Sequence, residues 1–306
     1  MAEDMPGDPG ADGRLVRLAD GDLNVVVDGR PDAPGVLLIH GSAGSTAWWD
    51  PVVPALAGAC RVIRVDLLGH GGSSPAGGGY DIAAHARRVG AALDRLGAGR
   101  VTVIGHSMGC LVATALAEQR PDQVGALALI DMGPSLDAAM PDGVLVRLLL
   151  ARFPGPLLWR LRSAATIRTA LRSAFTRPVD IPGAIIEAAL GMTHHALAGT
   201  ARGSEDYMRQ RSLPDRLAGL GVPLLVIFGA EDARYPSSSA AAYRAVPGAR
   251  VELLPGVGHT PMMEDPHATG TLLLNFAART SRVAVDGSGG GQQGGDGAAV
   301  RADPAG

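Results

Sequence analysis

A serine lies between two glycines in the segment Gly105-His106-Ser107-Met108-Gly109. The apolar run 101–104 precedes this segment, and a run typical of a helix, 110–118, follows it. A serine between a strand end and a helix start occupies a strained turn that lifts its hydroxyl out of the sheet, and small neighbours let the backbone approach. The first helical turn directs free N–H groups and a partial positive charge at the same place. The pattern therefore predicts a nucleophilic serine beside an oxyanion site, rather than an ordinary glycine-rich turn.

A serine hydroxyl is a poor nucleophile at pH 7 unless a base accepts its proton and a carboxylate orients that base. Two downstream segments offer such groups. Glu231 and Asp232 follow the apolar run 224–228, and His259 follows the run 251–254. Ligands bind outside the carboxyl ends of parallel strands, and both segments are expected at such ends. We therefore predict His259 as the base, with the two adjacent carboxylates as candidates for its partner.

A second loop of small residues, His40-Gly41-Ser42-Ala43-Gly44-Ser45, follows the apolar run 36–39 and can turn a backbone N–H toward the nucleophile. With this loop, the chain resembles the α/β-hydrolase superfamily over residues 14–283. The resemblance implies that the backbone N–H groups of Ser42 and Met108 form the oxyanion hole.

The resemblance also implies a catalytic triad of Ser107, Asp232 and His259, in the family's chain order. The spacing of Asp232 from Gly229 is similar to that of the family's acid turn. Glu231 remains a competitor, and so does Asp131, because some relatives carry their acid at that position.

The elements that must position these groups are short runs rich in β-branched and apolar residues, separated by helical stretches. The predicted strands are 23–27, 36–39, 61–66, 101–104, 126–130, 223–228 and 250–254. These patterns predict an α/β fold with a mostly parallel sheet and helices on both faces, and the resemblance implies eight strands. Leu/Ala/Arg periodicity interrupted by prolines predicts an inserted helical lid at 134–222.

The core is then expected at 14–133 and 223–283. The segments 1–13 and 284–306 are rich in Gly, Asp and Pro or poor in large apolar side chains, so we expect disordered tails.

Composition narrows the class of protein. Of the 306 residues, 46% are hydrophobic and 19% charged, which suits a globular protein, and the net charge is −3. All 27 basic residues are arginine and are spread along the chain, so we expect neither a nucleic-acid nor a membrane footprint and favour a small-molecule ligand.

Two cysteines, Cys60 and Cys110, are expected to be reduced and buried. No signal-like segment is seen at the N-terminus, so a cytoplasmic location is expected.

The remaining histidines are interpreted as structural residues, and several aromatic residues are candidates for a substrate pocket. His40 is interpreted as ordering its loop, His70 as part of a structural turn, and His85, His106 and His267 as surface or turn residues. The adjacent pair His194-His195 lacks accompanying ligands, so no metal and no cofactor are expected. Six residues are candidates for an apolar substrate pocket under the lid, with core packing as the alternative: Trp48, Trp49, Phe153, Trp159, Met192 and Tyr207.

The assembled site would cleave a small-molecule carboxylic ester, thioester or lactone through an acyl-enzyme on Ser107. A serine rather than an aspartate argues against the haloalkane dehalogenase and epoxide hydrolase branches. The His40-Gly41-Ser42 loop is similar to that of C–C bond hydrolases, and the segment 66–71 is similar to the lyase-like menaquinone-pathway branch. Alternatives are therefore a C–C bond hydrolase, a lyase or cyclisation catalyst, or a lidded binding or receptor protein with little turnover. The substrate and the oligomeric state are left open.

Overall fold

The computed structural model describes residues 13–288, with side-chain surroundings given through residue 281. Residues 1–12 and 289–306, which contain most of the two predicted tails, lie outside the described residues. The last helix includes residues 284–288, which the sequence analysis assigned to the C-terminal tail.

The described chain forms one eight-stranded sheet in the order β1-β2-β4-β3-β5-β6-β7-β8. Its strands are β1 (Arg14–Val16), β2 (Leu23–Asp28), β3 (Gly35–Ile39), β4 (Arg61–Val65), β5 (Val101–His106), β6 (Val124–Ile130), β7 (Leu224–Gly229) and β8 (Arg250–Leu254). The β1–β2 and β2–β4 pairs are antiparallel, and all other pairs are parallel. The expected mostly parallel sheet and α/β fold are thus confirmed. The short strand β1 was not among the predicted runs, because three residues are too few to show a pattern.

Helices cover both faces of this sheet. They are α1 (Val53–Ala57), α2 (Ile82–Arg95), α3 (Met108–Gln119), α4 (Val144–Leu150), α5 (Gly155–Arg160), α6 (Ala164–Arg172), α7 (Gly183–Gly191), α8 (His194–Gln210), α9 (Leu213–Ala218), α10 (Pro261–Glu264) and α11 (Pro266–Ser288). Short 3-10 helices occur at Thr46–Trp49, Leu136–Ala138 and Ser237–Ala245. One layer contains α1 and α11, and the other contains α2, α3 and α9. Because both faces are covered, β5 and β7 are buried at every residue, which explains their continuously apolar sequences.

Helix α2 illustrates how the sequence sets local structure. Asp81 accepts a hydrogen bond from the Ala84 N–H and caps the helix, while the apolar stripe faces the core. Arg88 of the same helix is buried and is paired with Asp20 at 2.8 Å. The two cysteines are free and buried.

Helices α4 to α9 lie between β6 and β7. The Tyr207 hydroxyl of α8 donates to Glu118 of α3 at 2.8 Å, and Arg216 of α9 pairs with the same carboxylate at 3.0 Å. These contacts attach α8 and α9 of this helical segment to α3 of the core. Among residues 13–288, no helix is both long enough and apolar enough to span a bilayer.

Candidate active site

Ser107 occupies a strained turn between β5 and α3. Its φ of 51° lies in the left-handed region that non-glycine residues rarely adopt. A Cβ on Gly105 would lie 2.5 Å from the Gly109 carbonyl oxygen, and a Cβ on Gly109 would lie 2.3 Å from that of Ile39. Both positions therefore require glycine, and the turn presents the Ser107 hydroxyl at the carboxyl edge of the sheet.

The structure brings Ser107, His259 and Asp232 together in a hydrogen-bonded series. The His259 Nε2 atom lies 3.1 Å from the Ser107 Oγ, and its Nδ1 lies 2.9 Å from Asp232 Oδ2. The other Asp232 oxygen accepts the Arg234 N–H at 2.7 Å, which fixes the carboxylate in the turn after β7. Glu231, the neighbouring candidate, is exposed to solvent. The residues alone left both carboxylates as candidates and the family resemblance favoured Asp232; in the structure it is Asp232 that faces His259.

Burial and charge set the protonation states of this series. Burial lowers the pKa of His259, and the hydrogen bond with Asp232 opposes that effect only in part. Burial is the largest single effect and raises the pKa of Asp232, but the hydrogen bond and charge of His259 together with the N–H groups of Arg234 and Tyr235 outweigh it, so the carboxyl pKa lies below its usual value. At neutral pH the pair is therefore a neutral imidazole beside a carboxylate, the state in which Nε2 accepts a proton from serine.

Asp131 lies beside this pair but in a different environment. It is fully buried at the end of β6, with φ of 49°, and accepts the Gly229 N–H at 2.8 Å through one oxygen. Ligating atoms of Asp131, Asp232 and His259 all lie within 4.8 Å of one another. Burial, together with the charge of Asp232, raises the pKa of Asp131 well above its usual value. With its pKa raised in this way, Asp131 favours the neutral acid form and is a poor second anion beside His259.

Glu264 of α10 was not identified from the sequence. Its buried carboxylate accepts hydrogen bonds from the Gly258 and Thr260 N–H groups on either side of His259. The same carboxylate accepts the N–H groups of Thr176 at 2.8 Å and Arg177 at 2.9 Å, which follow α6. One carboxylate thus ties the His259 loop to the helical segment. Its link to the helical segment could not be read from a local pattern, because Thr176 and Arg177 lie more than eighty residues away in the sequence.

A small cavity of about 50 Å³ opens beside Ser107. Its lining includes Ser42 of the glycine-rich loop, Trp48, Leu171 and Ala174 near the end of α6, and Arg234. His106 and Thr260 also line it, although the sequence analysis treated His106 as a surface or turn residue. A volume of this size holds only a few water molecules.

The two residues predicted to supply oxyanion N–H groups both lie next to the nucleophile. Met108 is the first residue of α3, so its N–H has no acceptor within the helix. Ser42 lies in the cavity wall, and a Cβ on its neighbour Gly41 would lie 3.0 Å from the Ser107 Cβ. The glycine at position 41 thus lets the loop approach the serine closely.

Of the six predicted pocket residues, Trp48 lines the cavity and the other five do not. Phe153 is 82% exposed on the outer side of the helical segment, so its assignment to the pocket is wrong. Trp49 follows Trp48 on a short 3-10 helix, where successive side chains diverge, and it is fully buried in the core. Trp159 and Met192 are buried together, since the indole N–H donates to the Met192 carbonyl at 2.8 Å. Tyr207 contacts Glu118 instead.

The other histidines have separate structural roles. His40 accepts the Leu67 N–H at 3.0 Å and contacts the Gly41 carbonyl at 2.7 Å, so it orders its loop. His194 and His195 contact the carbonyls of Leu149 and Gly77 respectively and do not converge on a common point. The expectation of a surface position for His85 is wrong, because its side chain is completely buried.

The comparisons with known proteins agree with this geometry. The α/β hydrolase fold family model matches residues 34–266. An uncharacterized protein of Mycobacterium tuberculosis (strain H37Rv) is 30% identical over 270 residues, which cover 83% of this chain and 78% of that protein. A Bacillus subtilis protein provisionally named 2-succinyl-6-hydroxy-2,4-cyclohexadiene-1-carboxylate synthase is 28% identical, with coverage of 85% and 97%. The crystal structure of a hydrolase from Pseudomonas aeruginosa superimposes with a TM-score of 0.71 at 26% identity, over 87% of this chain and 98% of that one.

Proposed function

Because the chain belongs to the α/β-hydrolase fold family, we propose that it hydrolyses a small carboxylic ester, thioester or lactone through an acyl-enzyme on Ser107. The observation that carries this proposal is the hydrogen-bonded series from Ser107 Oγ through His259 to Asp232, with distances of 3.1 and 2.9 Å. The similarity to a hydrolase from Pseudomonas aeruginosa agrees with it.

In the proposed reaction, His259 Nε2 removes the Ser107 proton while the serine oxygen attacks the substrate carbonyl carbon. Asp232 holds the Nδ1–H tautomer and stabilises the imidazolium that forms. The negative charge that develops on the carbonyl oxygen is accepted by the N–H groups of Met108 and Ser42. His259 then gives its proton to the leaving oxygen or sulfur. A water molecule, activated by the same imidazole, hydrolyses the acyl-enzyme and restores Ser107.

The size of the cavity bears on the substrate. A space of about 50 Å³ beside the nucleophile accommodates a short acyl group, and the apolar wall formed by Trp48, Leu171 and Ala174 favours an alkyl chain over a charged one. We therefore expect acetyl and butyryl esters to be cleaved faster than long-chain esters.

The decisive experiment is hydrolysis of p-nitrophenyl acetate and butyrate by the wild-type protein and by Ser107→Ala. Loss of the nucleophile is expected to reduce kcat by a factor on the order of 10⁵ to 10⁶. Ser238→Ala, at an exposed serine outside the cavity, is the matched control and should retain wild-type activity.

Mass spectrometry after treatment with a fluorophosphonate should show one adduct, on Ser107. Wild-type turnover without any covalent adduct on Ser107 would favour lyase or cyclisation chemistry. If the wild-type protein neither turns over the esters nor reacts with the probe, but binds small apolar ligands, a binding or receptor protein is indicated.

A further inference from the structure

The outer side of α4 and α5 carries an unusual concentration of exposed apolar side chains. Except for Leu15 and Leu253, every large apolar residue that is strongly exposed in the described chain lies between Met140 and Leu161. We call the set Val144, Leu145, Leu148, Phe153, Leu157 and Leu161 the α4–α5 face. Phe153, Leu161 and Val144 are 82%, 72% and 71% exposed. A concentration of exposed apolar side chains of this kind usually marks a site of interaction.

The exposure of the α4–α5 face does not mean that α4 lacks packing contacts with the rest of the protein. Helix α4 contacts α5 and α8, and its Leu149 carbonyl lies 2.8 Å from the His194 Nε2 atom. Leu149 and Leu150 are packed against the core on the inner side. Nevertheless, no residue of α4 is fully buried, although six of its seven residues are Val or Leu. The outward residues are therefore held in place without any covering element among the described residues.

The charge of the same segment is strongly positive. Residues 143–179 contain seven arginines and no aspartate or glutamate, whereas the whole chain has a net charge of −3. Three of these arginines are used internally: Arg162 and Arg168 donate to backbone carbonyls, and Arg177 pairs with Asp265. Arg152, Arg160 and Arg172 are exposed and have no ion pair with any residue from 13 to 281. Arg152 directly precedes Phe153, and Arg160 directly precedes Leu161.

We propose that the α4–α5 face docks the protein on an anionic lipid surface. Apolar side chains flanked by arginines are the composition of interfacial segments, in which the apolar groups enter the acyl boundary and the guanidinium groups contact lipid phosphates. The arginines of this segment already lie within one stretch of sequence that lacks acidic residues, and the fold leaves Arg152 and Arg160 exposed beside the exposed Phe153 and Leu161. The docking is independent of which ester the active site cleaves, and it does not require that the lipid be the substrate.

Charge also argues against a second copy of the chain as the partner. A two-fold dimer through the α4–α5 face would bring the same surface of both protomers together. Two surfaces that both carry exposed arginines would then face each other, with no carboxylate from residues 143–179 to neutralise them. An anionic lipid surface supplies both the apolar phase and the opposite charge.

The test is co-sedimentation of the full chain with vesicles of phosphatidylglycerol and phosphatidylcholine in equal parts, compared with pure phosphatidylcholine vesicles. We expect binding to the anionic vesicles that weakens at high salt, and little binding to the neutral ones. The combined variant Leu145→Ser, Phe153→Ser and Leu161→Ser, and separately Arg152→Glu with Arg160→Glu, should each weaken binding by about tenfold or more. All five positions are exposed, so the variants should fold.

Matched controls come from exposed residues elsewhere. Leu15→Ser with Leu253→Ser, and Arg87→Glu with Arg95→Glu on α2, should bind the anionic vesicles like wild type. The proposal is overturned if the wild-type protein does not sediment with anionic vesicles, or if the control pairs lose binding equally. It is also overturned if light scattering shows a dimer that the Leu145/Phe153/Leu161 variant dissociates. Hydrolysis of p-nitrophenyl butyrate by the same variants reports separately on the proposed ester chemistry.

Discussion

At the scale of single residues, the site contains two buried aspartates that differ in charge because their surroundings differ. Asp232 receives hydrogen bonds from His259 and from the Arg234 N–H, so its anion is stabilised. Asp131 has one N–H donor, and no hydrogen-bond partner is found among the described residues for its second oxygen. The Asp131 carboxyl group therefore favours its neutral form beside the Asp232 carboxylate.

This difference predicts unequal effects of two conservative substitutions. Asp131→Asn replaces the acid by a neutral amide of the same shape that can still accept the Gly229 N–H, so kcat/KM should stay within about threefold of wild type at pH 7. Asp232→Asn removes the group that orients His259, and in a serine protease triad the same change lowers kcat by about 10⁴-fold. Steady-state kinetics on p-nitrophenyl butyrate would measure both. A large loss in Asp131→Asn with a small one in Asp232→Asn would instead identify Asp131 as the acid.

At the scale of elements, α6 and the residues after it line the cavity. The same residues form hydrogen bonds with the loop that contains His259 and with Glu264. The Ala174 carbonyl accepts the His259 N–H at 3.1 Å, and Phe175 stacks on Trp48 with a ring separation of 6.2 Å. Glu264 joins Thr176 and Arg177 to the same loop. This end of the helical segment is therefore anchored, and any opening of the cavity must involve other parts of it.

Glu264→Gln tests that anchor. The amide group offers one acceptor oxygen in place of two, so several N–H donors around His259 lose their partner, and we expect kcat to fall by at least about tenfold and the melting temperature to fall by several degrees. The negative charge of Glu264 also favours the protonated form of His259. Its removal should lower the pKa of His259 further and move the acidic limb of the kcat/KM profile to lower pH, an effect that loss of structure alone would not cause.

Glu187→Gln, at an exposed residue of α7, is the control and should change neither the profile nor the melting temperature. An unshifted acidic limb in Glu264→Gln would contradict the electrostatic part of the argument, and unchanged stability would contradict the anchoring part.

At the scale of the whole molecule, buried histidines link stability to pH. Burial lowers the pKa of His40 to about 4 and those of His70 and His106 to about 3, and it places the pKa of His85 well below 6.5. Below pH 6.5 the unfolded chain therefore binds more protons than the folded one. The contribution of these histidines to the free energy of unfolding is fully present above pH 6.5. It is lost as the pH falls toward their folded pKa values, by about 1.4 kcal/mol per pH unit for each histidine.

His85→Leu isolates one contribution. Neither ring nitrogen of His85 has a hydrogen-bond partner among the described residues, so leucine removes a titrating group without removing a hydrogen bond. Calorimetric melting between pH 7 and pH 4.5 should show a smaller decrease in Tm for this variant than for wild type. The exposed His267→Gln should follow the wild-type curve. Parallel curves for His85→Leu and wild type would refute this linkage.

Much of the fold was predictable because its signals are local. Short runs rich in β-branched and apolar residues identified seven of the eight strands, and the strand-turn-helix context of Ser107 lies within a short contiguous stretch. The pocket was less predictable: Trp48 and Trp49 have the same chemistry and adjacent positions, yet one lines the cavity and the other lies in the core. A sequence does not show which way a side chain points on an irregular element, so Phe153 could not be separated from true lining residues.

The amino-acid order alone determined the strand pattern and the turn geometry around Ser107, since glycines at 105 and 109 and the helix that follows act over a few bonds. Only the tertiary structure shows how His259 and Asp232 meet, that burial raises the pKa of Asp131, and that Glu264 accepts hydrogen bonds from the His259 loop. It also decided that the arginines of the helical segment share a surface with exposed leucines. These properties depend on burial and on charges brought together from distant positions, and neither exists until the chain has folded.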